Sequence, residues 1–372
     1  MSHLVVMRSV ALLAWSLAFS GYSQSLVPAE LCALDSAQNE ASGLLMVEGS
    51  LWVVLDSGNP NTLFQVDPAT CEVTRSLHVP NAVNSDWEEL TTDGTWVYIG
   101  DFGNNGGNRT DLRVYRVPLA ALLDEGVTEV LADSIRFAYP DQSDLTLAYD
   151  ANNWDCEAFV ARNDSLFLFS KNWLTSDCYL YAMPAFPGEH AAIRRDTLPS
   201  EGLVTGASLD TSTGVISLIG HSTDYTPFAW RLSGYPANSF FHGDAARHEV
   251  DIWPLQAEGI CRISADSVLL CSEATGPLPA RIWSLELPLT DAIAPLDRNV
   301  GLRVYPDPAT DVLHIDSANV FDGGLHDETG RLVARWHAVE GITTVPVAHL
   351  PEGRYTLRSL VPPMSIEIVI AR

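Results

Sequence analysis

The sequence predicts an all-β protein: a β-propeller of five blades, with six as the alternative, followed by a small β-sandwich. Five segments within the first 290 residues share one strand-turn-strand grammar, and further extended stretches lie between them. After a Pro- and Asp-rich passage near residue 290 the composition changes and the grammar stops.

The chain opens with Arg8 ahead of an apolar run from Val10 to Phe19, then small and polar residues including Gly21 and Ser23. This reads as a signal peptide over residues 1–23, because a membrane anchor needs about 20 apolar residues. No later run is long enough to span a bilayer. Residues 24–290 form the predicted propeller, 291–301 a linker and 302–372 the C-terminal domain.

The repeat appears when "ASGLLMVEGSLWVVLDSGNPNTLFQVDP", "DWEELTTDGTWVYIGDFGNNGGNRTDLRVYRVP", "DCEAFVARNDSLFLFSKNWLTSDCYLYAMP", "VTGASLDTSTGVISLIGHSTDYTPFAWRLSG" and "AEGICRISADSVLLCSEATGPLPARIWSLELP" are laid over one another. Each begins small or acidic, runs into a short strand, turns on Gly, Asp, Asn or Ser, and continues into a second strand rich in Val, Leu, Ile, Trp and Phe. A polar loop and a third strand carrying an aromatic follow. "VTRSLHVP", "DSIRFAYP" and "HEVDIWPL" supply fourth strands. The fifth unit lacks one of its own, and "SLVPAELCALD", residues 25–35, is expected to supply it and close the ring through the two ends of the propeller segment. Radial repetition of four-stranded units describes a propeller. A β-sandwich would explain the alternation but not the fivefold grammar.

Composition narrows the partners. With 21 Lys+Arg against 47 Asp+Glu, the formal net charge of −26 repels phosphate backbones and disfavours nucleic acid. The chain has a single lysine, Lys171. In an exported chain the six cysteines favour disulfides over thiols, and no spacing suggests zinc. Hairpin geometry predicts Cys261 with Cys271, Cys156 joins Cys178, and Cys32 is left with Cys71.

In a propeller the start of each innermost strand and the end of the next strand meet at one face beside the central channel. The starts read Ser42, Glu88, Glu157, Thr205 and Glu258. The ends read Asp56, Asp101, Lys171, His221 and Glu273, lying 14, 13, 14, 16 and 15 residues further on. Three glutamates forced together raise one another's pKa unless a cation neutralises them. Calcium suits that ring, since it takes six to eight oxygen ligands in flexible geometry. The alternative is that the glutamates cap turns and bind neighbouring blades. Lys171, His221 and Glu273 are the candidate acid, base or clamp residues, Asp56 and Asp101 stand at the rim, and Asn104, Asn105, Gly106 and Gly107 are expected to form a mobile rim loop.

Two family resemblances follow from these residues. In the tail, "VYPDPATD", "DETGRLV" and "AHLPEGRYTLR" resemble the VYPNPA opening, D-x-x-G-[RK] hairpin and L-P-x-G-x-Y strand of the C-terminal sorting domain of type IX secretion substrates, with Asp307 in place of the usual Asn. That resemblance implies export by the type IX machinery to the outside or the cell surface of a Gram-negative bacterium. In the propeller, the order Ser, Glu, Glu, Thr, Glu resembles the calcium ring of calcium-activated nucleotidases, and the Glu-Gly and Glu-Ala starts are also similar to phytase-like propellers. Basic residues for gripping phosphate are scarce, which counts against carrying over the nucleotidase activity.

Three functions compete on this reading. One is a calcium-dependent hydrolase of an anionic or sugar-like substrate, with Glu258 as a further acid or base. A second is a surface binding propeller that meets a glycan or protein through Trp87, Trp154 and Trp173 as exposed aromatics. The third is a structural component of the cell surface.

Overall fold

The computed structural model describes residues 25–287, apart from 253–254, 265 and 276, and residues 302–371, apart from 307, 318–320, 328–331, 339–340 and 361–362. The expected signal peptide and linker, and parts of the tail motifs, lie outside the described residues. The chain forms two compact units, Met1–Thr290 and Asp291–Arg372.

The first unit is a five-bladed propeller. Strand β1 (Ala29–Ala33) precedes blade 1, which contains β2 (Ala41–Val47), β3 (Ser50–Leu55), β4 (Thr62–Val66) and β5 (Val73–His78). Blade 2 contains β6 (Trp87–Thr92), β7 (Trp96–Asp101), β8 (Arg113–Pro118) and β9 (Asp133–Ala138). Blade 3 holds β10 (Asp155–Arg162), β11 (Ser165–Lys171), β12 (Cys178–Pro184) and β14 (Ile193–Leu198). Between its last two strands the chain lays β13 (Gly188–Ala191) in parallel on β9, covering the outer edge of blade 2. Blade 4 holds β15 (Leu203–Leu209), β16 (Ile216–His221), β17 (Pro227–Ser233) and β18 (Asp244–Glu249). Blade 5 holds β19 (Ala257–Arg262), β20 (Ser267–Ser272) and β21 (Arg281–Glu286), and β1 completes it, antiparallel to β21. The expected closure by residues 25–35 is therefore present, and the Cys32–Cys71 disulfide ties β1 to blade 1 with Cα atoms 5.6 Å apart.

The first strands of the blades pack against one another in a closed ring: β2 on β6, β6 on β10, β10 on β15, β15 on β19, and β19 on β2. Alternation in sequence explains how. Side chains on a strand point to opposite faces in turn, and each blade is sandwiched between two others. In blade 1, Leu45, Val47, Trp52 and Val54 enter the core shared with blade 2. Their neighbours Leu44, Leu51, Val53 and Leu55 enter the core shared with blade 5.

Three expectations are corrected here. Cys156 and Cys178 are buried thiols on β10 and β12, which flank β11 on either side. Two strand spacings, roughly 9 to 10 Å, exceed the Cα separation of about 7 Å beyond which a disulfide cannot close. Cys261 and Cys271 are also thiols, because the hairpin register pairs Cys261 with Leu269 and places Cys271 two residues beyond. Trp87 is fully buried against Tyr115 and donates Nε1–H to the Val83 carbonyl at 3.1 Å.

The second unit holds β22 (Leu302–Tyr305), β23 (Val312–Ser317), β24 (Phe321–Asp327), β25 (Leu332–Ala338), β26 (Gly341–Pro346), β27 (Gly353–Leu360) and β28 (Pro363–Ile370). They form a sheet ordered β22-β23-β26 and a sheet ordered β25-β24-β27-β28. One core including Leu313, Ile315, Leu325, Leu350, Tyr355 and Leu357 joins them into a small sandwich. The Tyr355 hydroxyl donates to the Pro351 carbonyl at 2.8 Å.

Candidate functional site

Every residue of the predicted first column lies in a β-bulge. The pairing of β2 with β3 steps from Ala41 to Gly43 and skips Ser42. The same step skips Glu88 in β6, Glu157 in β10 and Thr205 in β15, and in β19 it spans Glu258 and Gly259. An extra residue cannot pair, so it bends the strand and re-aims its side chain. Five repeats of one bulge turn this column toward the axis, where all five residues are buried.

The two hydroxyls of the column join blades. Ser42 Oγ donates to the Trp87 carbonyl of blade 2 at 2.8 Å, and Thr205 Oγ1 donates to the Ala257 carbonyl of blade 5 at 2.7 Å. In both cases the acceptor immediately precedes the next blade's glutamate.

The second column is met in four blades. Asp56, Lys171, His221 and Glu273 each follow the partner of the residue before the bulge. Asp101 does not belong with them, because it pairs with Trp87 itself and the equivalent place in blade 2 is taken by Phe102. Its separation of 13 residues, one short of the smallest in the other blades, is the sequence sign of that slip. Asp101 is fully buried and held by Arg109 at 3.0 Å and Arg113 at 3.7 Å.

Two acids escaped the sequence reading. Asp86 lies two residues before the blade 2 bulge, and carboxylate oxygens of Asp56, Asp86 and Glu88 all come within 4.8 Å of one another. Gly103 permits this, since a Cβ there would collide with the Glu88 and Asp86 carboxylates. Glu89, next to Glu88, occupies the step just past the bulge, where the other blades have Gly43, Ala158, Gly206 and Gly259. Glu89 Oε1 accepts the N–H groups of Leu44 at 3.1 Å and Leu90 at 2.9 Å, and Oε2 accepts that of Ala207 at 3.0 Å. The small residues leave room for one carboxylate to bind three blades at once.

The electrostatics are those of crowded acids. Burial, then the neighbouring Asp56 and Glu157 charges, push Glu88 well above the usual carboxylate range. Burial followed by the Asp56 charge lifts Asp86 to about 7, although Arg109 opposes it. Burial also raises Glu258 and Glu273 to about 8. Lys171 Nζ lies 2.6 Å from Glu157 Oε1, the separation of an ammonium against a carboxylate, with both groups buried. Burial works against the charge on Lys171, but Glu157, Glu258 and Asp155 together hold its ammonium above the usual lysine range. The same ammonium lies 4.8 Å from the ring centroid of Trp173, whose Nε1–H donates to Asp155 at 2.8 Å. Glu157 Oε2 and Glu258 Oε1 are buried and have no hydrogen-bond partner among the described residues.

His221 is 2% exposed and stacks on Tyr225 with centroids 5.1 Å apart. Its Nδ1 lies 2.9 Å from the Ser222 carbonyl, which only an N–H can satisfy, so the neutral ring carries its lone pair on Nε2. That atom has no partner among the described residues. Burial, reinforced by Lys171, lowers the ring to about 4, so it is neutral at physiological pH.

Hydrogen bonds tie the rim loop to neighbouring backbone and side chains. Ala148 N donates to the Gly106 carbonyl at 2.9 Å, Gln142 Nε2 to that of Gly107 at 2.7 Å, and Asn152 Nδ2 to that of Asn105 at 2.9 Å. Of the remaining tryptophans named in the sequence, Trp154 and Trp173 are half-buried. No described helix is long and apolar enough to cross a membrane.

No family profile and no curated protein sequence matches the chain. Among solved structures it is similar to an exo-β-1,3-galactanase from Phanerochaete chrysosporium with galactose, at 10% identity and TM-score 0.41, covering 87% of this chain and 93% of that one. It is also similar to an α-L-arabinofuranosidase from Podospora anserina in complex with cellotriose, at 9% identity and TM-score 0.38, covering 72% of this chain and 98% of that one. Likeness at this level assigns no activity; the five-bladed architecture rests on the sheet order and the ring of inner strands.

Proposed function

We propose that the protein is an exported, calcium-binding propeller hydrolase acting on a sugar-like substrate at the mouth of its axial channel. The observation that carries this reading is the convergence of Asp56, Asp86 and Glu88 oxygens within 4.8 Å. Hard, anionic oxygen donors in irregular geometry fit calcium, and the unpartnered Oε1 of Glu258 is a further candidate for its shell. Asp56, Asp86 and Glu88 would hold the ion, with Glu258, Ser42 and Thr205 around it. When bound, calcium would fix oxygens of the ligand and polarise the bond to be cleaved.

The chain's own groups support acid-base chemistry beside that position. His221 offers a neutral Nε2 lone pair to take a proton from water. Glu273, raised to about 8, retains a proton at neutral pH that it can give to a leaving oxygen. The acidic channel repels an anionic ligand that is not carried by the metal, so a neutral, hydroxyl-rich ligand fits better. Resemblance of residues 302–372 to the sorting domain supports delivery through the type IX machinery to the surface or beyond.

A non-catalytic binding role is the second reading. It is favoured by exposed apolar side chains on the loops of the mouth face, with Tyr149 71%, Leu174 64%, Leu147 54% and Tyr225 49% exposed. Screening the purified protein on glycosides and phosphate esters, with calcium and with chelator, tests both. The hydrolase reading expects turnover of a glycoside that needs calcium and is lost in His221→Ala. Retention of a glycan without turnover would favour the binding role.

A further inference from the structure

Blades 2 and 3 place the same pair of acids at the channel. Asp86 and Glu88 stand two residues before the bulge and in the bulge of β6, and Asp155 and Glu157 occupy the same two steps of β10. The position across from the first acid differs. Blade 2 has Phe102 there, blade 1 has Asp56, and blade 3 has Lys171, the only lysine of the chain.

Lys171 is bound on two sides. Its Nζ meets Glu157 Oε1 at 2.6 Å and lies 4.8 Å from the Trp173 ring centroid. Trp173 is itself anchored through Nε1 to Asp155 at 2.8 Å. Asp155 is itself held in place, because its Oδ1 also accepts the N–H groups of Asn104 at 2.7 Å and Cys156 at 3.0 Å. On the side of blades 1 and 2, Arg109 lies 3.8 Å from Asp86 and turns toward Asp101 at 3.0 Å, and Lys171 acts on Asp56 only as a more distant charge. The counter-charge of the Asp56–Asp86–Glu88 group is therefore more distant than the 2.6 Å contact of Glu157.

We infer that Lys171 is a built-in counter-cation that selects where the channel accepts a metal. Its ammonium fills the position at Glu157 on the blade 3 side, and the position at Asp56, Asp86 and Glu88 is left open to a divalent ion. This rests on the calcium-binding reading above for the second position but not for the first. A buried carboxylate left unpaired is strongly destabilising, so removing the ammonium leaves Glu157 to be neutralised by a proton or, in excess calcium, by that ion. Lys171 is thus a specificity-determining residue, fixing how many ions enter and on which side.

The test is calcium stoichiometry of the full chain, measured with calcium chloride by titration calorimetry and native mass spectrometry. Wild type, Lys171→Met and the double variant Lys171→Met/Glu157→Gln are compared. The inference expects Lys171→Met to bind one calcium more than wild type, and the double variant to return to the wild-type number. Lys171→Met that folds only in millimolar calcium supports it equally, since the metal then replaces the ammonium. An unchanged stoichiometry in folded Lys171→Met, or its failure to fold at any calcium concentration, overturns it. If wild type binds no calcium while Lys171→Met binds one, the calcium reading of the mouth fails and the role of Lys171 stands. If wild type binds one and Lys171→Met also binds one, the reverse holds.

Discussion

Glu89 Oε2 accepts the backbone N–H of Ala207 at 3.0 Å, joining blade 2 to blade 4 across 118 residues of chain. With the Leu44 and Leu90 N–H groups on Oε1, both oxygens of this buried carboxylate act as acceptors. Burial pushes Glu89 well above the usual range while the three N–H groups pull it down. A Gln amide in its place would turn a donor onto one of those N–H groups. Glu89→Gln is expected to cost about 1 to 3 kcal/mol, read as a lower urea midpoint, whereas Glu125→Gln on the surface should leave the midpoint unchanged.

Close approach of the inner strands makes a second prediction. A Cβ at Gly43 would lie 2.6 Å from Glu89 Cα, which is backbone and cannot swing aside. Gly43→Ala is therefore expected to lower stability by about 1 to 3 kcal/mol, whereas Gly126→Ala, at an exposed turn where a Cβ would meet only Asp124 Oδ1 at 3.3 Å, should cost less. Equal losses at the two positions would show that the ring of inner strands is looser than described.

The disulfide closes the propeller. Cys32 and Cys71 are 39 residues apart and join β1, the outer strand of blade 5, to blade 1. A loop of that length constrains the unfolded chain by about 4 kcal/mol in the entropic account. Cys32→Ala/Cys71→Ala should lower the denaturation midpoint accordingly. Thiol labelling of the native protein should find none of Cys156, Cys178, Cys261 and Cys271 reactive, since all four are buried.

Much of this architecture is legible in the residues, and the misses share a cause. The five-fold grammar, the closing role of residues 25–35 and the bulge column of Ser42, Glu88, Glu157, Thr205 and Glu258 follow from composition and spacing. What the spacing hides is the bulge itself. Strict alternation would turn Glu88 and Glu89 to opposite faces, yet the extra residue lets both serve the channel, and it shifts the hairpin register of blade 5. The shortened gap to Asp101 was visible as a count, but only the pairing with Trp87 shows that it moves the side chain out of the rim column. Asp86 was hidden because it precedes the repeated position rather than occupying it.

The pH dependence of metal-free protein should reveal the crowded acids. Burial raises the Glu273 carboxyl from its usual 4.5 to about 8, so between those values the folded state holds a proton that the unfolded state has lost. Its contribution to stability is full below about pH 4.5 and declines as pH rises toward 8. Glu258 acts in the same direction over the same window. His221, lowered to about 4, opposes them only between that value and about pH 6.5. In chelator the urea midpoint should fall from pH 6.5 to 8, and Glu273→Gln should flatten the slope by up to about 1.4 kcal/mol per pH unit. A slope identical to wild type in that variant would mean Glu273 is ionised throughout.

Calcium-dependent melting tests the central claim that the acids at the channel mouth form a cation site. A ligand that binds only the folded state stabilises it by about 2.7 kcal/mol at a hundred times its dissociation constant. The melting temperature of wild type should therefore rise with free calcium and fall on chelation, Asp56→Asn and Glu88→Gln should blunt that response, and Glu125→Gln should retain it. If wild-type melting is the same in calcium and in chelator, and no metal copurifies, the convergence of Asp56, Asp86 and Glu88 is a feature of folding alone and the calcium account is wrong.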